Sequence, residues 1–133
     1  MIYLDSWIFL EYLTTGSKYE KCRKLILSKQ TKIISPIVLM EVKYKATKKR
    51  GKKNTREFLR KIVTDPSVVI VNVDRKIAER AANLRLKYYK NDTKELSYSD
   101  CIHLSTAILT KSKKFYSGDP DFKGVKEIPI EII

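Results

Sequence analysis

The sequence predicts a three-layer α/β domain, Rossmann-like, with a mostly parallel central sheet. Short apolar runs alternate with longer segments of helical periodicity along the whole length, the pattern of strands linked by crossover helices. No repeat, low-complexity tract or linker breaks the alternation, so residues 1–133 read as one domain. Apolar residues make up 43% of the chain, enough for a real core at this length.

Residues 1–4 form an apolar run that ends at Asp5-Ser6, and residues 7–13 are almost wholly apolar. That predicts a buried strand turning directly into a buried helix. Thr14-Thr15-Gly16-Ser17 ends this helix. Tyr19, Cys22, Leu25 and Ile26 then recur at helical spacing with lysines opposite, and Ile33-Ile34 makes a second strand. Ser35-Pro36 is a helix start, with serine as N-cap and proline at the first helical position. That helix carries Ile37, Val38, Met40, Glu41, Val42 and Tyr44, runs into a basic stretch around Gly51, and is followed by a further helix over residues 54–63. Val68-Val69-Ile70-Val71 is a β-branched run of the kind buried in parallel sheets. Asp74 caps a helix whose apolar face is Ile77, Ala81, Leu84 and Tyr88. After a polar loop at 91–95, another helix carries Asp100, Ile102, Leu104, Ala107, Ile108 and Leu109. Lys114-Phe115-Tyr116 is a short strand, residues 117–121 a loop, and residues 128–132 the last strand.

Charge narrows the function. The chain has 28 Lys and Arg against 15 Asp and Glu, a formal +13. Such an excess favours a polyanionic partner, because each phosphate neutralised releases condensed counterions. A lysine-rich solvated surface would give the same count, so charge alone leaves both open. No run approaches the ~18 apolar residues of a membrane helix. The N-terminus has neither a basic segment nor a small-residue cleavage site, and a cytoplasmic protein is expected. Cys22 and Cys101 lie far apart without partners at zinc spacing, and read as small buried hydrophobes in a reducing compartment.

Ligands of an open α/β sheet bind beyond the carboxyl ends of its strands. Asp5 and Asp119 each follow a predicted strand end, and Glu41 and Asp100 sit on helices that are otherwise mostly apolar. Taken singly, each acid has a plain structural use: Asp5 and Asp100 as helix caps, Asp119 in a turn, Glu41 in solvent. Taken together in so basic a chain, they predict convergence on one site. Two carboxylates ~4 Å apart repel by several kcal/mol at an effective dielectric near 20. Such a cluster needs a proton or a cation, and all-oxygen ligation selects Mg²⁺ or Mn²⁺ over zinc. A cation so held, beside a basic surface, suits phosphodiester hydrolysis.

The stretches Tyr3-Leu4-Asp5-Ser6, Ser35-Pro36-Ile37-Val38-Leu39-Met40-Glu41, Ser99-Asp100-Cys101-Ile102-His103 and Ser117-Gly118-Asp119-Pro120-Asp121-Phe122 resemble, in order and spacing, the four acidic motifs of PIN domains. The similarity is greatest to toxin ribonucleases of the VapC type. The resemblance implies a PIN fold, cleavage of single-stranded RNA with Mg²⁺ or Mn²⁺, a homodimer, and inhibition by a cognate antitoxin. It makes Asp5, Glu41, Asp100 and Asp119 the catalytic set, with Asp5, Asp100 and Asp119 on the metal. Ser6, Ser117 and Asp121 take supporting places. The lysine-rich stretch after Glu41 is less typical of the family.

His103, the sole histidine, is expected to be a hydrogen-bonded structural residue of an apolar helix, with a general base as the alternative. Lys43, Lys45, Lys48, Lys49 and Arg50 are read as a phosphate-tracking patch beside Glu41, against a solvated helical face. A phosphatase of haloacid-dehalogenase type would want a second acid two residues after Asp5, where Trp7 stands. Two further readings keep the fold: a nuclease that processes ribosomal RNA or cuts structured DNA, and an inactive RNA-binding module.

Overall fold

The computed structural model describes all of residues 1–133. Along the chain run β1 (Ile2–Leu4), α1 (Ser6–Leu13), α2 (Tyr19–Ile26), β2 (Lys32–Ile34), α3 (Pro36–Thr64), β3 (Val68–Ile70), α4 (Arg75–Tyr88), α5 (Tyr98–Leu109), β4 (Phe115–Ser117), a 3₁₀ turn at Pro120–Phe122, and β5 (Ile130–Ile132). The strands form one sheet in the order β3-β2-β1-β4-β5, and every pairing is parallel.

β1 lies at the centre, and its three residues have no exposed surface. A strand with neighbours on both edges and helices over both faces has no wet side, which is why its sequence does not alternate. From β1 the chain steps outward to β2 and β3, then returns past β1 to place β4 on its other edge. Right-handed crossovers put α1, α2 and α3 over one face and α4 and α5 over the other. The packing agrees, since α1 lies against α2 and α3, and α4 lies along α5. These are the three predicted layers.

Two elements differ in detail. The Val68–Ile70 strand is not buried on both sides: it forms a sheet edge, and Val69 is 42% exposed. A β-branched run favours extended backbone whether or not it is covered, so composition alone cannot place it centrally. The last strand is shorter than expected, beginning at Ile130, although Ile128 is still buried in the core. The two helices predicted either side of Gly51 are both present, as the two arms of α3 that meet at a non-helical kink there. Gly51 has φ 79° and ψ 169°, a backbone region that only glycine occupies readily. A Cβ there would meet nothing within 4 Å, so the requirement is conformational, not spatial.

Two caps follow their sequence signals: Ser35 accepts from the Ile37 N–H and Asp74 from the Ile77 N–H. On α5 the N-cap is Ser97, not Asp100; Ser97 accepts from the Asp100 N–H in a full capping box. No helix is long and apolar enough to cross a membrane. The strand order reverses between β1 and β4, and the crevice that such a reversal opens lies beyond their carboxyl ends.

Candidate metal centre

Asp5 stands where β1 becomes α1. Its N–H donates to the Tyr116 carbonyl at 3.0 Å, carrying the β1–β4 ladder one residue past the strand. One carboxylate oxygen accepts from the Ser6 N–H at 2.8 Å, and the other from the Ser117 hydroxyl at 2.7 Å. The helix-capping use and the site use are therefore compatible in one side chain, which is 93% buried.

Glu41 reaches this point from the second turn of α3, and His103 from α5 on the other face. Each of the three residues offers a donor atom within 4.8 Å of the others. His103 Nε2 lies 2.5 Å from Glu41 Oε1 and 3.8 Å from Asp5 Oδ1. On the far side of the ring, Nδ1 lies 2.8 Å from the Tyr3 hydroxyl. Tyr3 and Asp5 are two residues apart at the end of a strand, so they project on the same face.

The electrostatics reflect crowding. Burial pushes the Asp5 carboxyl up, and the nearby Glu41 charge adds to this, against the opposing pull of His103 and the Ser117 hydrogen bond. Burial also works on Glu41, but the His103 hydrogen bond and charge outweigh it, with help from Lys45 and the Ser6 hydroxyl, and hold it below the usual carboxylate range. For His103, burial lowers basicity, while the bond to Glu41 and the charges of Asp5, Glu41 and Asp100 more than reverse that. The imidazole thus offsets part of the negative charge that a cation would otherwise neutralise.

The remaining acids approach in different ways. Asp100 accepts from the Ser97 N–H at 2.9 Å, as the reciprocal arm of the capping box. Burial, and then the charge on Asp5, push its carboxyl up to about 6, against the hydrogen bonds from Ser97. It is electrostatically coupled to Asp5 yet lies outside the tight Asp5–Glu41–His103 group. Asp119 is tied to Asp5 through Ser117, whose oxygen accepts from the Asp119 N–H at 3.0 Å. Its own carboxylate accepts from the Asp121 N–H at 2.9 Å and caps the 3₁₀ turn, also outside that group. Asp121 supplies that N–H and is half-buried.

The basic stretch divides. Lys45, Lys48 and Lys49 line a groove of about 600 Å³ between α1 and α3, with Trp7, Leu10, Glu11, Thr14 and Tyr44. Lys43 lies in a separate depression with Lys52 and Arg56, and Arg50 donates to the Thr14 carbonyl at 3.3 Å. Helical geometry explains the split: residues 45, 48 and 49 share a face, whereas 43 and 50 do not share it. Trp7 is held against Gly118, where a Cβ would fall inside the indole ring.

His103 and Tyr3 were the residues whose place at the site was least visible in the sequence. The available signals were spacing: His103 one turn after Asp100, and Tyr3 two residues before Asp5. The donor set suits a hard divalent cation. It is two close carboxylates, a third within electrostatic reach, and one imidazole that such a cation tolerates but does not need.

A family model described as PIN domain matches residues 2–128. No curated protein matches the chain. Among solved structures, the chain resembles VapC20 of Mycobacterium tuberculosis, described as a sarcin-ricin loop cleaving toxin, with TM-score 0.78 and 20% identity, covering 97% of this chain and 99% of that one. VapBC2 from Rickettsia felis, bound to a DNA fragment from its promoter, gives TM-score 0.74 and 22% identity, covering 98% of each chain. A toxin–antitoxin complex from Klebsiella pneumoniae gives TM-score 0.70 and 28% identity, covering 96% of this chain and 95% of that one.

Proposed function

The chain belongs to the PIN domain family, and on that premise we propose that it is a metal-dependent endoribonuclease that hydrolyses single-stranded RNA and is the toxin of a toxin–antitoxin pair. One observation carries the reading: buried Asp5 faces Glu41 at the sheet's switch point, in a chain of net charge +13. The solved structures it resembles support the biological setting, since they include a toxin that cleaves the sarcin-ricin loop and a toxin–antitoxin complex. In this reading the protein works in the cytoplasm as a homodimer, and its partner is a cognate antitoxin.

Asp5, Asp100 and Asp119 hold Mg²⁺ or Mn²⁺, with Glu41 beside them. A divalent cation supplies activation of water and neutralisation of charge on the phosphodiester. The chain's own groups do the rest. Ser117 and the Ser6 N–H fix both oxygens of Asp5, so that the carboxylate is oriented before substrate arrives. Glu41, kept ionised, accepts a hydrogen bond from the attacking water. Lys45, Lys48 and Lys49 hold the RNA backbone along the groove between α1 and α3, whose Lys45 charge also acts on Glu41. The exposed Tyr44 ring offers a surface on which a base can stack.

A labelled single-stranded RNA is expected to be cut in the presence of Mn²⁺ and left intact with EDTA. RNA binding that ignores Mn²⁺ and yields no product would identify an inactive binding module instead. Neutralising Lys45, Lys48 and Lys49 to Gln together raises KM and flattens the salt dependence of RNA binding. Three phosphate contacts on a single strand correspond to a loss of about 2 in the slope of log K against log salt. An unchanged slope would remove the groove from the substrate path.

A further inference from the structure

We propose that His103 is a positioning residue of this centre: fixed from behind by the Tyr3 hydroxyl, it holds Glu41 through its Nε2–H and sets how that carboxylate faces Asp5. The kinetic consequence rests on the ribonuclease reading above; the structural one does not.

Hydrogen-bond bookkeeping leads there. His103 and Tyr3 have no exposed surface, so each polar atom needs a partner within the protein. Burial pushes the Tyr3 phenol far above its ordinary value, which leaves it a hydroxyl and a donor. Its neighbour is His103 Nδ1, at 2.8 Å. In a neutral ring that bond makes Nδ1 the acceptor and puts the proton on Nε2, which faces Glu41 Oε1. In an imidazolium both nitrogens carry protons, and Nε2 still donates to Glu41. The bond to Glu41 is therefore the same in either charge state. No buried side-chain polar atom in the protein is left without a partner, and the Ser35 hydroxyl and N–H, which donate to the Tyr3 oxygen, leave the Tyr3 proton for Nδ1.

The chain of contacts joins β1, α5 and α3, and so ties together the two helical layers across the point where the strand order reverses. Glu41 has the greater need of it. Asp5 has both oxygens held by the Ser6 N–H and Ser117, whereas the strongest hold on Glu41 is the bond from His103, with the Ser6 hydroxyl as a weaker second partner. Without it, the half-buried Glu41 keeps only the Ser6 hydroxyl against the pull of Lys45. A group that orients a carboxylate of a metal centre from behind in this way changes metal affinity or activity by about 10–100-fold when removed.

The test compares full-length wild type with Tyr3→Phe, His103→Leu and His103→Gln. Mn²⁺ affinity is read from the electron paramagnetic resonance of free Mn²⁺, RNA cleavage from single-turnover and steady-state rates, and thermal stability without metal. His103→Leu is expected to weaken Mn²⁺ binding about 10–100-fold and to lower kcat with little change in KM. His103→Gln, whose amide N–H can still reach Glu41, recovers most of the loss. Tyr3→Phe, which removes one hydroxyl and keeps the ring, shows a smaller loss in the same direction; if His103→Leu does not fold, this variant decides. Reduced thermal stability with wild-type Mn²⁺ affinity would make the role purely structural and overturn the proposal. Tighter Mn²⁺ binding by His103→Leu would overturn it too, as would nitrogen hyperfine coupling to bound Mn²⁺, which would make His103 a ligand. If wild type binds Mn²⁺ and cuts no RNA while the variants lose Mn²⁺, the ribonuclease reading fails and this one stands. If wild type cuts RNA and the variants bind Mn²⁺ as well as it does, the reverse holds.

Discussion

Replacing Asp5 by Asn is expected to reduce RNA cleavage by at least about three orders of magnitude while raising the thermal stability of the metal-free protein. Both effects come from the same buried carboxylate. Loss of a charged ligand from a site that neutralises a phosphodiester costs on the order of 4 kcal/mol in the transition state, and each 1.36 kcal/mol is a factor of ten in rate. The amide is nearly isosteric. Its oxygen can still accept from the Ser6 N–H, and its NH₂ can donate to the Ser117 oxygen. The stability gain follows from the direction of the shift. Burial, the dominant cause, raises the Asp5 carboxyl above its unfolded value. Its contribution to stability is then present in acid and lost as pH rises through the folded-state pKa, so at neutral pH the ionised form is a cost. Asn removes that cost, and also relieves the repulsion from Glu41. His103 loses a partner at 3.8 Å but keeps the closer one. The gain is read as a rise in the Tm of the metal-free protein. Calorimetry with and without Mn²⁺ separates the two effects: wild type is stabilised by the cation, and Asp5→Asn is not. Cleavage retained within tenfold of wild type would remove Asp5 from the chemistry.

The physical origin of each signal explains what was legible in the sequence. The order of strands and helices could be read because strand and helix periodicities differ, and because Ser35-Pro36 and Asp74 mark helix starts by local bonding alone. The edge position of Val68–Ile70 could not be read. Burial of a strand depends on what lies beside it, and that is fixed by topology. At the site, Asp5 was the firmest expectation because strand end and helix cap fall on one residue. Asp100 and Asp119 satisfy their plain local uses as cap and turn residues while standing near the same crevice, so neither description excludes the other. The role of His103 was hidden for a different reason. Its partners Tyr3 and Glu41 are 100 and 62 positions away in sequence, and no local pattern links them. The division of the lysines was legible in principle, since helical phase alone separates residues 45, 48 and 49 from 43 and 50.

Mn²⁺ affinity is expected to climb steeply with pH up to about 6 and to level off above it. Asp100 is the cause. Its carboxyl is pushed up to about 6, first by burial and then by the charge on Asp5, so in mild acid it carries a proton that a cation must displace. One displaced proton gives about a tenfold gain in affinity per pH unit. Asp5 is raised in the same direction, so its proton competes with the cation in the same sense. Stability moves oppositely in the metal-free protein. Because the folded-state value of Asp100 lies above its unfolded one, its contribution is full below about 4 and is lost as pH rises toward about 6. Added Mn²⁺ therefore stabilises most where the metal-free protein has weakened. Asp100→Asn should lower the affinity at pH 7 and remove the break near pH 6. Ser97→Ala offers a finer check. It removes the Ser97 hydroxyl, which favours the ionised form, together with the cap bond from the Asp100 N–H, and keeps the Ser97 N–H bond to the carboxylate, so the break in the profile moves up in pH while the limiting affinity changes little. Titrations of Mn²⁺ at intervals from pH 5 to 8 read all three curves. Wild-type affinity that is flat across that range would mean that Asp100 serves only as the capping partner of Ser97 and takes no part in holding the cation.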